Sequence, residues 1–249
     1  KNMMKHISGK AALLALSMVT ASAFASHWGY EGKESPEHWG ELDEAYKTCQ
    51  KGMNQSPINI DSTLDAHLSP LQTHYIDGPV TLTNNGHTIQ ASEPADTRDT
   101  ITLDKQTWTL QQFHFHSPSE NTVHGKKYAM EMHLVHKNAA GELTVVAVMF
   151  DKGAANPELE KLWSVMPQLA EQNVSIKGDL NLNTLLPEDK TYFRFSGSLT
   201  TPPCSEGVTW IVLKHPMTVS AEQLDKFTHT MHHDNNRPVQ SLHGRVVVE

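Results

Sequence analysis

Cysteine is nearly absent: Cys49 and Cys204 are the only two in 249 residues. They lie far apart and neither belongs to a C-x-x-C pair, so a metal site built on them is a weak reading. A disulfide between them is favoured if the chain is exported; two free thiols are the alternative. Basic residues are the minority, 20 against 28 acidic, for a net charge of −8. That balance argues against nucleic acid and anionic membranes as partners, though it identifies no substrate. No Gly/Ser run, Pro-rich spacer or internal repeat divides the chain, which favours one domain over linked modules. Past the first twenty residues, no apolar run approaches the ~18 residues that a membrane span requires.

What is present begins with a three-part leader. Lys1, Lys5 and Lys10 make a basic start, residues 11–19 are apolar, and Ala23-Phe24-Ala25 is an A-x-A pattern. This reads as a secretory signal peptide over residues 1–25, cleaved near Ala25. The expected mature protein is residues 26–249, soluble and periplasmic or secreted.

Most of that span reads as short strands separated by turns. Val80-Thr81-Leu82-Thr83 runs into Asn84-Asn85-Gly86, a turn signal, and His87-Thr88-Ile89-Gln90 resumes. Residues 143–150 form an apolar, β-branched run expected of a central strand. Two helices are expected. Asn156 and Pro157 open the first, whose apolar stripe runs through Leu159, Leu162, Trp163, Met166 and Leu169. Ser220 and Gln223 form a capping box for the second, with His229, His232 and His233 on its solvated face. The pattern predicts a β-dominated α+β domain, without the alternation of a βαβ fold.

The most specific feature is Gln112-Phe113-His114-Phe115-His116, followed by Glu131-Met132-His133. Two histidines at i and i+2 share one face of a strand. His133 comes far enough on for a hairpin to bring a second strand alongside. Three imidazoles converging from a rigid sheet suit a catalytic zinc site with a position left open for water. Gln112 and Glu131 each precede a ligand histidine by two residues, on the same face. Both are candidates to accept the spare ring N–H. His136 lies an odd number of residues from His133 and is expected to face the core.

At these residues the chain resembles the α-class carbonic anhydrases. Gln55-Ser56-Pro57-Ile58-Asn59-Ile60, Asn84-Asn85-Gly86-His87, Phe113-His114-Phe115-His116 through Ser119-Glu120, and Glu131-Met132-His133-Leu134-Val135-His136 match the family's blocks in order. So do His27-Trp28-Gly29-Tyr30, Ser198-Leu199-Thr200-Thr201-Pro202-Pro203-Cys204 and Asn236-Arg237-Pro238.

The resemblance implies a single domain around a large, mostly antiparallel twisted sheet of about ten strands, with a few short peripheral helices. It implies one Zn²⁺ held by His114, His116 and His133. Gln112, Glu131 and Asn235, the last through its carbonyl, would orient those ligands. Thr200 would accept a hydrogen bond from zinc-bound hydroxide, with Glu120 holding the Thr200 hydroxyl, and His87 would shuttle protons to buffer. Val135, Val145, Leu199, Val208 and Trp210 resemble an apolar wall that receives carbon dioxide. Tyr30, Gln90 and Thr201 resemble a polar wall that orders water. Cys49 and Cys204 resemble the disulfide of exported members. The implied enzyme is a zinc lyase that hydrates carbon dioxide reversibly to bicarbonate and a proton, with esterase activity on the side. Sulfonamide and anion inhibitors are expected, and a homodimer is compatible.

Ser117, Asn236, Lys137 and Gln90 depart from residues common in the family, and they bear on pocket shape and inhibitor preference. A cupin site would need glycine where Trp108 stands. A non-catalytic binding module would have lost a ligand, and none is lost here. A serine esterase would need a serine–histidine–acid arrangement, which is not apparent.

Overall fold

The computed structural model describes residues 26–249; the expected signal peptide, residues 1–25, lies outside the described residues. Strand alternation sets the architecture. In the strand Leu143–Lys152, Val146, Val148 and Phe150 enter one core, whereas Val145, Ala147 and Met149 enter another. A strand apolar on both sides belongs in the middle of a sheet covered on both faces. It pairs antiparallel with Met130–Lys137 and parallel with Glu206–Leu213. Met130–Lys137 pairs on its other side with Gln106–His116, which pairs in turn with Ile89–Ser92. Ten strands make a continuous path from Asn173–Ser175 to Thr63–Leu64, as expected, and most neighbours are antiparallel. Three more, Gln72–His74, Thr100–Leu103 and Met217–Val219, pair off that path and bring the sheet to thirteen.

Gln106–His116 changes phase along its length. Trp108 and Leu110 enter the large core, and so do Phe113 and Phe115. A register shift between Leu110 and Gln112 reconciles the two pairs, leaving Gln111 as an extra, exposed residue. Bulges of this kind re-aim the side chains that follow. Strict alternation from Leu110 would drive Gln112, His114 and His116 into the large core; the bulge turns them to the opposite face.

Both expected helices form, with their caps. Asn156 accepts from the Leu159 amide, and Pro157 takes the first position of Pro157–Trp163. The expected stripe continued to Leu169, but the helix stops at Trp163. Pro167 cannot continue a helix and pushes Met166 out of the α region. Met166 is still buried, whereas Leu169 is exposed. Ser220 and Gln223 form the capping box of Ala221–Met231. That helix ends with His232 in the left-handed region at φ 68°. His229 therefore lies on its exposed face, whereas His232 is the cap and His233 lies beyond it, half-buried. Among the described residues no helix is long and apolar enough to cross a membrane.

Cys49 and Cys204 form a disulfide across 155 residues. It packs in a third, small cluster with Trp39 and Tyr46, against which Trp28 and Tyr30 lie.

Candidate metal centre

Register places the three histidines. His114 lies directly opposite His133, His116 opposite Glu131, and Gln112 opposite Val135. One nitrogen from each of His114, His116 and His133 lies within 4.8 Å of the others. The second nitrogen of every ring has an acceptor. Gln112 Oε1 is 2.7 Å from His114 Nδ1, and the Asn235 carbonyl is 2.7 Å from His116 Nδ1. The Glu131 carboxylate takes His133 Nε2. Each outer nitrogen is thus the N–H donor, and each inner nitrogen keeps its lone pair. His116 Nε2 is buried without any hydrogen-bond partner.

Burial keeps these rings neutral. It holds His114 well below the usual imidazole value, with His116 and His133 as like-charged neighbours adding to the effect. It lowers His116 to about 4 against the opposing pull of Glu120, and His133 likewise falls. Three neutral imidazoles whose lone pairs face a common point are the donor set a divalent metal such as zinc requires. The residues present fit that group.

The surrounding shell comes from distant segments. Glu131 is pushed above the usual carboxylate range by burial, against hydrogen bonds from the Asn121 amide and side chain. Asn235 is a hub: its side chain accepts from the Ser117 amide and donates to the carbonyls of His87 and Phe115. Glu120 is raised to about 7 by burial, opposed by His116, the Thr200 hydroxyl and the Arg237 amide. Its Oε2 accepts from that amide at 2.7 Å, and its Oε1 lies 3.2 Å from His116 Nε2. The Arg237 guanidinium, itself buried, donates to Gln55 Oε1 and to the carbonyls of Ser56 and Cys49, each at 2.8 Å. Gln55 in turn donates to the Cys204 carbonyl. The disulfide and the Glu120 carboxylate are therefore joined through one arginine.

A cleft opens on the histidines, lined in part by Tyr30, His87, Gln90, Gln112, His114, His116 and Thr201. Its volume is about 130 Å³, room for a few waters at ~30 Å³ each. Tyr30, Gln90 and Thr201 all line this cleft, and Gln90 lies directly across from His114. Val145, Val208 and Trp210 are buried in the second core, with Val135 and Leu199 packed against it. Trp210 sets its ring edge-on to His133 at 4.9 Å. His87 hangs at the mouth on the Asn84-Asn85-Gly86 turn. Gly86 takes φ 83°, and Asn85 Oδ1 caps the amides of His87 and Thr88. Burial lowers His87 from its ordinary value, and the charges of His27 and His233 add to this. His136, expected in the core, is there: Tyr75 Oη meets its Nε2 at 2.8 Å.

Sequence reasoning assigned nothing to Arg237, Asn121 or Trp28. A buried arginine leaves no local signature, and only the adjacency of Asn121 to Glu120 hinted at its place. Trp28 stacks on the His87 ring at 3.7 Å and 8°.

Residues 34–249 match the family described as eukaryotic-type carbonic anhydrase. A carbonic anhydrase of Klebsiella pneumoniae is 71% identical over 99% of this chain and 100% of its own. Among solved structures, the α-carbonic anhydrase of Thermovibrio ammonificans, in complex with the inhibitor sulfanilamide, superposes with a TM-score of 0.87. It is 48% identical and is matched over 90% of this chain and 99% of its own. Carbonic anhydrase Cah3 of Chlamydomonas reinhardtii, in complex with acetazolamide, reaches 0.79 at 34% identity, over 90% of this chain and 99% of its own.

Proposed function

The chain belongs to the eukaryotic-type carbonic anhydrase family, and on that premise we propose that it hydrates carbon dioxide with one Zn²⁺ held by His114, His116 and His133. The observation that carries this reading is the convergence of three neutral imidazoles whose outer nitrogens are all occupied. Zinc, when bound, supplies a Lewis acid that lowers the pKa of water to about 7, a figure taken from carbonic anhydrase itself and not obtained from this geometry.

The chain's own residues do the rest. Gln112, Asn235 and Glu131 fix the tautomer and tilt of the three rings. Glu120, held by the Arg237 amide, accepts a hydrogen bond from the Thr200 hydroxyl, so that Thr200 Oγ1 is left to accept from a hydroxyl in the pocket and aim it. Val135, Val145, Leu199, Val208 and Trp210 offer carbon dioxide an apolar wall from which water is excluded. Tyr30, Gln90 and Thr201 order the water chain that leads to His87. His87 Nδ1 or Nε2 takes the released proton and passes it to buffer, a task suited to an imidazole that is neutral at pH 7. The same pocket accounts for a side activity on activated esters and for inhibition by sulfonamides and anions; sulfanilamide is such an inhibitor of the Thermovibrio relative. The disulfide supports work in an oxidising compartment, for which the periplasm is our assignment.

Stopped-flow hydration of carbon dioxide, paired with metal analysis, tests the reading. Activity that tracks one zinc per chain and vanishes in His114→Ala is expected. Full turnover in metal-free protein would sink it.

A further inference from the structure

Asn85-Gly86 is the only asparagine–glycine pair in the chain, and it lies in the turn that carries His87. Asparagine is a thermally labile residue. A glycine after it puts no Cβ beside the backbone nitrogen that attacks its side chain. The turn adds two features. Asn85 Oδ1 accepts from the His87 and Thr88 amides, each at 2.9 Å, so the side chain is folded forward along the Gly86 peptide. Those donors draw electron density from Cγ and stand ready for the negative charge that an attack on Cγ places on the oxygen. Asn85 is half-buried and lines both the metal cleft and a second cleft outside it, so water reaches its amide. One contact opposes the attack: the Gly86 N–H donates to Asn84 Oδ1 at 3.0 Å. The reaction is therefore slow and depends on base.

We infer that Asn85 deamidates spontaneously in the folded enzyme and that the isoaspartyl product withdraws His87 from proton transfer. The Gly86 nitrogen gives its proton to hydroxide, and its lone pair attacks Asn85 Cγ. A C–N bond forms, the Cγ–Nδ2 bond breaks, and Nδ2 leaves as ammonia with a proton from water. One water then opens the cyclic imide. Opening at Cγ gives aspartate. Opening at the backbone carbonyl gives isoaspartate, whose main chain runs through Cβ and Cγ and is longer by one carbon. The turn cannot absorb that carbon at its ends. Asn84 donates its amide to the Gln172 carbonyl, accepts from the Glu171 amide, and donates from its side chain to the Pro167 carbonyl. Thr88 is buried, and its hydroxyl donates to the Phe115 carbonyl at 2.6 Å. The extra length therefore falls on Gly86 and His87, and the stack of His87 on Trp28 is lost. The loss of shuttling rests on the hydration reading above; the modification itself does not.

Zinc-loaded enzyme kept warm at pH 9 and sampled over time tests this by peptide mass and by turnover in weak buffer. Asn85 is expected to convert ahead of every other asparagine, mainly to isoaspartate, and more slowly at pH 6. Turnover in weak buffer is expected to fall several-fold in step with isoaspartate and to return when imidazole is added. Asn85→Ser keeps an oxygen for the two amides but has no carboxamide to lose, so it is expected to hold its own starting turnover over the same period. The inference is overturned if Asn85 stays intact in the folded enzyme. It is also overturned if turnover in weak buffer holds steady as isoaspartate accumulates, or if the loss persists in concentrated imidazole. Fresh enzyme that hydrates no carbon dioxide in any buffer would overturn the hydration reading instead, and peptide mass would still decide the modification.

Discussion

Leu110 and Phe113 point to the same side of one strand although three positions separate them. The register shift between Leu110 and Gln112 makes this possible, and both side chains are fully packed in the large core. The face presented by His114 and His116 is therefore the product of one additional residue, Gln111, whose own side chain is exposed.

Deleting Gln111 is expected to abolish metal binding, because restored alternation turns Gln112, His114 and His116 into an apolar core. Gln111→Ala, which keeps the backbone and loses only an exposed amide, is expected to behave as the parent. Zinc content after dialysis separates the two. A deletion variant that still holds one zinc per chain would show that the bulge does not set the face.

Glu131→Gln is expected to weaken zinc by ~10–100-fold, the usual cost of losing a carboxylate behind a ligand histidine. Glutamine has a single acceptor oxygen for the His133 N–H and the two Asn121 donors, and it gives the ring a weaker, uncharged partner. Competition against a chelator of known affinity reads the change, and equal affinity would remove Glu131 from the metal's support.

His87→Ala is expected to slow turnover most in weak buffer and to recover with imidazole. Because His87 is lowered from its ordinary value, the acid limb it imposes on turnover in the parent belongs below pH 6.5. As pH falls through that range the ring stays protonated and can no longer accept. A pH profile at low buffer concentration checks this; a limb above neutrality would contradict the direction of the shift.

Glu93 is raised to about 7 by burial and by Asp99, which outweigh a hydrogen bond from Thr97. A carboxyl whose folded pKa lies above its unfolded value adds stability below the ordinary carboxylate range, and that contribution is lost as pH rises through about 7. Glu93→Gln is therefore expected to melt higher than the parent at pH 8, and the difference is expected to shrink towards pH 5. Thermal denaturation at the two pH values decides it, and a larger benefit at pH 5 would reverse the sign.

Cys49→Ser is expected to cost ~2–5 kcal/mol in denaturant unfolding. It is also expected to lower activity in the folded fraction, because the Cys49 and Cys204 carbonyls anchor Arg237 and Gln55 behind Glu120. Urea titrations followed by assay of the native protein measure both effects. An unchanged midpoint would show that the bridge is idle.

The histidine set was legible because two strand periods and a hairpin spacing suffice to place three side chains. The capping box was legible because it is local. The bulge left a trace that alternation alone could have found, namely apolar residues at Trp108 and Leu110 and then at Phe113 and Phe115. The end of the first helix was signalled by Pro167, which outweighs an apolar stripe. The Asn235 carbonyl came only through resemblance, since every residue has such a group and only the fold says which one meets a ring. The Arg237 knot and the Trp28 stack join segments far apart in the chain, and no pattern along the chain encodes them.

His116 depends on Asn235, 119 residues further on, and Glu120 on Arg237, 117 further on. A ribosome or an export channel delivers those partners last. While the chain is still emerging, the histidines exist without these partners, so the full shell around them closes only when the last residues are in place. The order in which the shell is completed is thereby written into chain connectivity.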